Sequence, residues 1–256
     1  ASLVVPGAWS AEAVLWGGLS AVAGSAAVAL LYAALAIGPM SILSPLTAVV
    51  SAIVPVTVGI IGGERLGPLA VAAIGLALVA VVLVGFVPER GAVRPSARGL
   101  ALAVASGVLI GTFLTLIDRT PDDSGLVPLV INRGVSTAIM WVAVAGAAVV
   151  ALRRARRSGV TAPGGGAGGD RSATLLALRR GGLALALGCG ALDGTANAVI
   201  LVGLRTGDLS IMSVLVAMYP AGTILLAALV LRERIAPVQW LGLVLALGAA
   251  GILAVA

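Results

Sequence analysis

The chain has 256 residues, of which 60% are apolar and 10% charged, and a mean hydropathy of +1.17; that is more apolar side chain than one soluble core of this length can hide. Its net charge of +6 comes without a basic face interleaved with aromatics, which excludes a nucleic-acid partner and leaves the charge to be read as membrane topology. Histidine is absent and Cys189 is the single cysteine, so Ser-His-Asp and HExxH chemistry, an internal disulfide and a cysteine metal cage are all excluded.

A helix crosses a hydrocarbon core about 30 Å thick in about 20 residues. In chain order, apolar segments of that length run Ala13 to Ile37, Met40 to Gly62, Leu66 to Phe86, Gly99 to Ile117, Leu126 to Leu152, Leu183 to Leu204, Ile211 to Leu231 and Pro237 to Ala256. Backbone groups cannot stay unpaired in lipid, and these segments lack the two-residue alternation of barrel strands, so all eight are predicted helices. The fold class is therefore an all-α membrane protein, a polytopic helical bundle. Gly59/Gly63 and Gly190/Gly194 have the four-residue spacing that lets membrane helices approach closely. The connections are short except for residues 153–172, where Arg and Gly combine into a predicted flexible, solvent-exposed loop. Its GxGxxG spacing at Gly164, Gly166 and Gly169 has no strand or βαβ unit around it and carries no nucleotide-binding meaning.

A shift of 169 positions superposes Glu64-Arg65 on Glu233-Arg234, and with them Gly38 on Gly207, Ser41 on Ser210, Ser44 on Ser213, Ala48 on Ala217 and Pro68 on Pro237. Both copies read helix, turn, helix, Glu-Arg turn, helix. Each Glu-Arg pair falls where a helix leaves the membrane, so both charges are expected in headgroups and water, with the Pro in the first turn of the next helix. Two further helices precede the second trio but not the first. The expected scheme is a five-plus-five protein of which eight helices are visible, the first repeat continuing over 13–88 and the second filling 96–256. An odd number of helices per unit inverts successive units, as in secondary transporters.

The segments "LYAALAIGPMSILSPLTAVVSAIVPVTVGIIGGERL" and "ANAVILVGLRTGDLSIMSVLVAMYPAGTILLAALVLRERIAPVQWLG" resemble the paired modules of EamA-type transporters of the drug/metabolite transporter superfamily. The resemblance covers nearly the whole chain. It implies inverted five-helix halves, a central cavity and movement of small metabolites, often export of amino acids or related compounds. The first copy departs by carrying Ser51 where Pro220 stands in the second, which moves its expected kink to Pro45 or Pro55.

All 16 basic residues are Arg. Twelve fall after the third, fifth and seventh spans; Arg65, Arg119, Arg133 and Arg205 lie on the opposite face. The excess places the first set in the cytoplasm, whereas members of the family are usually drawn with both termini inside, a topology that this assignment contradicts.

Polar groups inside spans are the informative ones, since a charge at a helix centre costs on the order of 2.5 to 3.5 kcal/mol on insertion scales. Asp193 lies mid-span with Asn197 one turn on. Arg133, beside Asn132 at the start of the fifth span, is the candidate partner for Asp193, as a structural ion pair, a gate or substrate contact, or a coupled protonation site. Tyr32, Ser44, Thr47 and Ser51 in the first copy, with Ser213 and Tyr219 in the second, offer hydroxyls to a substrate, although such hydroxyls also bond their own backbone. Pro45, Pro55 and Pro220 are candidate hinges. Trp9 and Trp240 read as interfacial anchors.

The expected function is secondary transport of a small metabolite by alternating access, in the export direction, from a multi-pass position in a bacterial inner membrane. The alternatives are a lipid or lipid-linked sugar flippase on the same scaffold and, weakly, an intramembrane enzyme. No catalytic residue, metal or cofactor is expected, and no GxxxxGK[ST] motif supports ATP coupling. The expected partners are a small-molecule substrate, the bilayer, a coupled proton and a second copy in a homodimer.

Overall fold

A computed structural model describes residues 7–85, 95–157, 170–232 and 235–255. The described elements are all helical. They are α1 (Ala11–Leu35), α2 (Met40–Ile61), α3 (Pro68–Gly85), α4 (Ala97–Asp118), α5 (Val127–Arg157), α6 (Asp170–Thr206), α7 (Leu209–Ala217), α8 (Tyr219–Leu226) and α9 (Pro237–Leu253), with a 3-10 turn at Asp122–Ser124 and a π segment at Ala227–Leu231. The eight predicted spans are all helical, the seventh being divided into α7, α8 and the π segment. Seven of these stretches are long and apolar enough to cross a membrane, and α9 is a shorter apolar helix.

Local chemistry sets the helix ends. Ser10 and Ser96 accept hydrogen bonds from Ala13 N (3.0 Å) and Gly99 N (3.1 Å), capping α1 and α4. α3 and α9 each begin on the Pro of the repeat, Pro68 and Pro237, where a missing N–H breaks no helical bond. Gln239 Oε1 accepts from Ala236 N at 3.0 Å and closes the start of α9. α2 ends at Gly63, which takes a left-handed φ of +99°, and the chain turns back so that Glu64 N donates to Gly59 O at 3.0 Å.

The predicted loop at 153–172 is shorter than its sequence suggested. α5 continues to Arg157 and α6 starts at Asp170, because Arg and Ala are strong helix formers and outside lipid nothing stops a helix until the glycine tract. At 1.5 Å per residue α5 is about 46 Å long, well beyond the hydrocarbon thickness. Residues 158–169 and Glu233-Arg234 of the repeat lie outside the described residues.

The chain forms two compact units, Ala1–Ser136 with Ile200–Ala256, and Thr137–Val199. In the first unit the helices pack through small residues, as expected where lipid leaves dispersion and hydrogen bonding to drive association. Gly107 and Gly111 of α4 lie against Thr47, Ser51, Val54 and Pro55 of α2, so closely that a Cβ at either glycine would overlap the neighbour. Gly242 of α9 meets Val84 and Ala80 of α3 in the same way. The glycine pairs singled out in the sequence do other work. Gly59 makes room for a carboxylate, Gly63 makes a turn, and Gly190 and Gly194 meet no described atom within 4 Å.

Two helix pairs of the first unit reproduce the repeat. Along α2 from Glu64 to Ala52 the contacts run from Leu209 to Val214 and Ala217 of α7, so α2 and α7 are antiparallel. α3 and α9 are antiparallel too: Gln239 Nε2 donates to Val84 O at 3.2 Å, while Ala73, Ile74 and Ala77 share a core cluster with Ala249 and Leu253. Alternation of the short connections gives this unit two ends. One, the Glu64 end, carries the C-terminal ends of α2 and α4 and the start of α7. The other, the Pro39 end, carries the starts of α2, α4 and α9.

Candidate transport site

The helix break decides where Tyr219 falls. α7 stops at Ala217 and α8 starts at Tyr219, with Met218 N donating to Leu215 O (3.2 Å) and Ala221 N to Met218 O (2.9 Å) in tightened three-residue turns. Pro220, having no N–H, cannot carry the α-helical ladder across this point. The break leaves Tyr219 39% exposed, and its hydroxyl lies beside the side chain of Ser44 on α2. One expected hydroxyl from each repeat copy is thus brought together across the α2/α8 contact. α2 runs unbroken through Pro45 and Pro55, whose rings lie against Gly85 and Gly111. A break coincides only with Pro220 among the three candidate hinges.

The other hydroxyls are spent inside the packing. Thr47 and Ser213 are fully buried and Ser51 is 2% exposed. Thr47 donates to Leu43 O (2.9 Å), with Ala103 O of α4 at 3.1 Å, Ser51 to Ala48 O (2.8 Å) and Ser213 to Ser210 O (2.9 Å). Tyr32 is exposed near the C-terminal end of α1, at the Pro39 end. Asn132 is buried at the start of α5 and donates to Ser20 Oγ of α1 at 2.8 Å. Arg133, next to it, is half-buried.

Asp193 and Asn197 belong to the second unit. Asn197 Nδ2 donates to the Asp193 carbonyl at 2.9 Å and to its carboxylate at 3.2 Å, the one-turn geometry expected from the spacing. Asp193 is exposed within its unit. On α5 a shallow apolar groove is lined by Thr137, Met140, Trp141 and Val144.

Glu64 is the residue whose role sequence reasoning missed. Its side chain turns inward instead of toward headgroups: Oε1 accepts from Leu209 N at 2.8 Å, Oε2 accepts from Ser210 N at 3.2 Å, and the Ser210 hydroxyl donates to Oε2 as well. Asp208, the N-cap residue of α7, makes no side-chain cap bond of its own. A carboxylate from another helix therefore occupies the positive end of α7, where unpaired N–H groups and the helix dipole favour an anion. The signal in the sequence was Gly59 five residues before Glu64, and the alignment of Ser210 with Ser41.

The same end holds further polar ties. Arg205 of α6 donates from Nη2 to Ser124 Oγ (3.0 Å) and Pro121 O (3.3 Å), holding the turn between α4 and α5. Arg119 stacks over Trp16 at 5.4 Å from the ring centre. Among the described residues no group of His, Cys, Asp and Glu could hold a metal ion.

The sequence profile described as EamA-like transporter family matches residues 97–255. The chain belongs to this family. As an EamA-like protein of the drug/metabolite transporter superfamily, it is an integral, multi-pass membrane transporter. Among solved structures, one described only as "Crystal structure of protein" superposes with a TM-score of 0.54 at 17% identity, over 96% of this chain and 89% of its own; at that identity the likeness shows the fold. Curated proteins give no match.

Proposed function

We propose that this EamA-like protein is a secondary transporter that exports small metabolites, such as amino acids, related solutes or drugs, by alternating access. The observation that carries the reading is the antiparallel pairing of α2 with α7 and of α3 with α9 in a 169-residue register. Two copies of one helical unit placed upside down against each other have two nearly equivalent arrangements, each opening one membrane face, and this is the basis of rocking transport. The broken α7/α8 segment, with Tyr219 at the break and Ser44 of α2 beside it, supports a substrate contact there, because irregular backbone at membrane depth belongs where it lines a cavity. Arg133 on α5 is a further polar candidate in the first unit, and Asp193 with Asn197 is a separate polar pair in the second. The arginine excess in the sequence after the third, fifth and seventh spans supports a cytoplasmic position for those connections; the third and seventh spans finish at the Pro39 end, which makes outward movement a passage from the Pro39 end to the Glu64 end.

The test is reconstitution of the full-length protein into liposomes and counterflow of a panel of radiolabelled amino acids, cationic drugs and sugars. Saturable exchange of a water-soluble compound is expected. Exchange confined to a fluorescent phospholipid would replace the reading with the flippase, and no exchange of either kind would remove it.

A further inference from the structure

We propose that Glu64 is the gating residue of its end of the protein, a latch that joins α2 to α7, and that the repeat is built asymmetrically so that this latch is the tighter of two. The proposal rests on the alternating-access reading, since a latch matters only if the two copies move.

The latch needs four features. Gly63 in the left-handed conformation turns the chain so that Glu64 faces back along α2. Gly59 leaves the space that the carboxylate fills: a Cβ there would overlap both Glu64 Oε2 and Ser210 Oγ. Glu64 supplies the anion, and Leu209 N, Ser210 N and Ser210 Oγ supply three donors. The contact couples the C-terminal end of α2 in one repeat copy to the first turn of α7 in the other. For α2 and α7 to part at this end, a carboxylate must leave three donors.

A shift of 169 positions gives the counterpart at the Pro39 end. Ser41 stands for Ser210, Met40 for Leu209 and Glu233 for Glu64, so the anion and its donors are kept in the sequence. Pro39 starts α2 with the extended backbone that Asp208 gives α7, φ −65° and ψ 122° against −69° and 138°. The two glycines are not kept. Ala228 stands for Gly59 and puts a methyl group where the first latch seats its carboxylate. Arg232 stands for Gly63 and takes a left-handed φ of 56°, a conformation that is strained for an L residue. The segment leading to it, Ala227–Leu231, is π-helical, whereas α2 stays α-helical over the matching positions up to Ile61. In the sequence the anion and the donors recur, and the two glycines that make room for them do not. The resting protein is therefore closed at the Glu64 end and open at the Pro39 end, which for an exporter with the Pro39 end in the cytoplasm is the state that receives substrate.

Labelling by a membrane-impermeant maleimide tests this without a known substrate, so its failure is separate from a failure of the transport assay. In a Cys189→Ala background, Val214→Cys reports the Glu64 end, because Val214 is 1% exposed one turn inside the latch. Ser44→Cys, one turn inside Met40 and Ser41, reports the Pro39 end. Glu64→Ala, and independently Gly59→Ala, should each raise labelling of Val214→Cys at least tenfold. The pair Ala228→Gly with Arg232→Gly removes strain and installs the missing room, and should lower labelling of Ser44→Cys at least fivefold. Parental rates for both Glu64→Ala and Gly59→Ala, or an unchanged rate at Ser44→Cys in the double-glycine protein, would overturn the proposal.

Discussion

Asn132 of α5 holds Ser20 of α1: its amide donates to the Ser20 hydroxyl at 2.8 Å, and that hydroxyl donates in turn to Gly17 O at 2.8 Å. Gly17 also lies against Pro128, so close that a Cβ would overlap the backbone, and α1 and the first turns of α5 run side by side in the same direction. Interhelical hydrogen bonds in membranes average about 0.6 kcal/mol and reach about 1.7. Asn132→Ala should therefore lower stability by about 1 kcal/mol, seen as a fall of a few degrees in the thermal midpoint of the detergent-solubilised protein by size exclusion. An unchanged midpoint with reduced transport would move Asn132 from packing to the substrate path.

The glycine seams make a sharper prediction because they separate close approach from composition. Gly242→Ala drives a methyl into Val84, and Gly107→Ala drives one into Val50 and Thr47 O. Overpacking of this kind typically costs about 1–3 kcal/mol. Gly75 and Gly248, on the same helices α3 and α9, have nothing within 4 Å, and Ala there gains roughly 1 kcal/mol of helix propensity. Thermal midpoints should fall for the first pair and hold or rise for the second; equal behaviour would mean that the α3/α9 and α2/α4 contacts are looser than described.

These glycines also mark what the sequence could carry. Span positions were legible because a run of about 20 apolar residues has one solution in lipid, and the helix starts at Pro68 and Pro237 fell where the repeat put them. Which glycines touch a neighbour was not legible, since in a chain with 35 of them spacing alone does not choose a face. Of the candidate hydroxyls the sequence offered, Tyr219 and Ser44 lie side by side, and the break at Pro220 explains why Tyr219 is exposed. Thr47, Ser51 and Ser213 have the same chemistry but lie where α2 and α7 are buried, so their hydroxyls bond backbone carbonyls. Glu64 was hidden for the opposite reason: a charged residue beside a span end looks solvated until the helix whose N-terminus it caps, about 145 residues later in the chain, is placed beside it.

The Tyr219–Ser44 pair should behave as one unit. Tyr219→Phe removes the hydroxyl and keeps the ring, and Ser44→Ala removes its partner. In the reconstituted protein each should reduce kcat/KM about tenfold for a substrate that the counterflow panel identifies, and the double variant should lose little more than either single one, since neighbouring side chains acting on one group are not additive. Fully multiplicative losses would show that the two hydroxyls act separately, and no loss would remove the pair from the substrate path.

Asp193 is the remaining acid of the candidate site, and its position sets the last prediction. A carboxylate inside an apolar span is disfavoured by about 2.5 to 3.5 kcal/mol on insertion scales, and Asn197 one turn on gives it a hydrogen bond at 3.2 Å while anchoring to its carbonyl at 2.9 Å. Asp193→Asn keeps the size and the hydrogen-bonding capacity and removes the charge, so membrane insertion should hold. If the charge takes part in transport, by pairing with a cation or by carrying a proton, exchange should fall at least tenfold at every pH from 5 to 8 in liposomes, with the amount of inserted protein unchanged. Asn197→Ala should give a smaller loss of the same kind, because it removes a neighbour and leaves the charge. Exchange by Asp193→Asn equal to that of the parent over this range would show that the carboxylate serves packing alone.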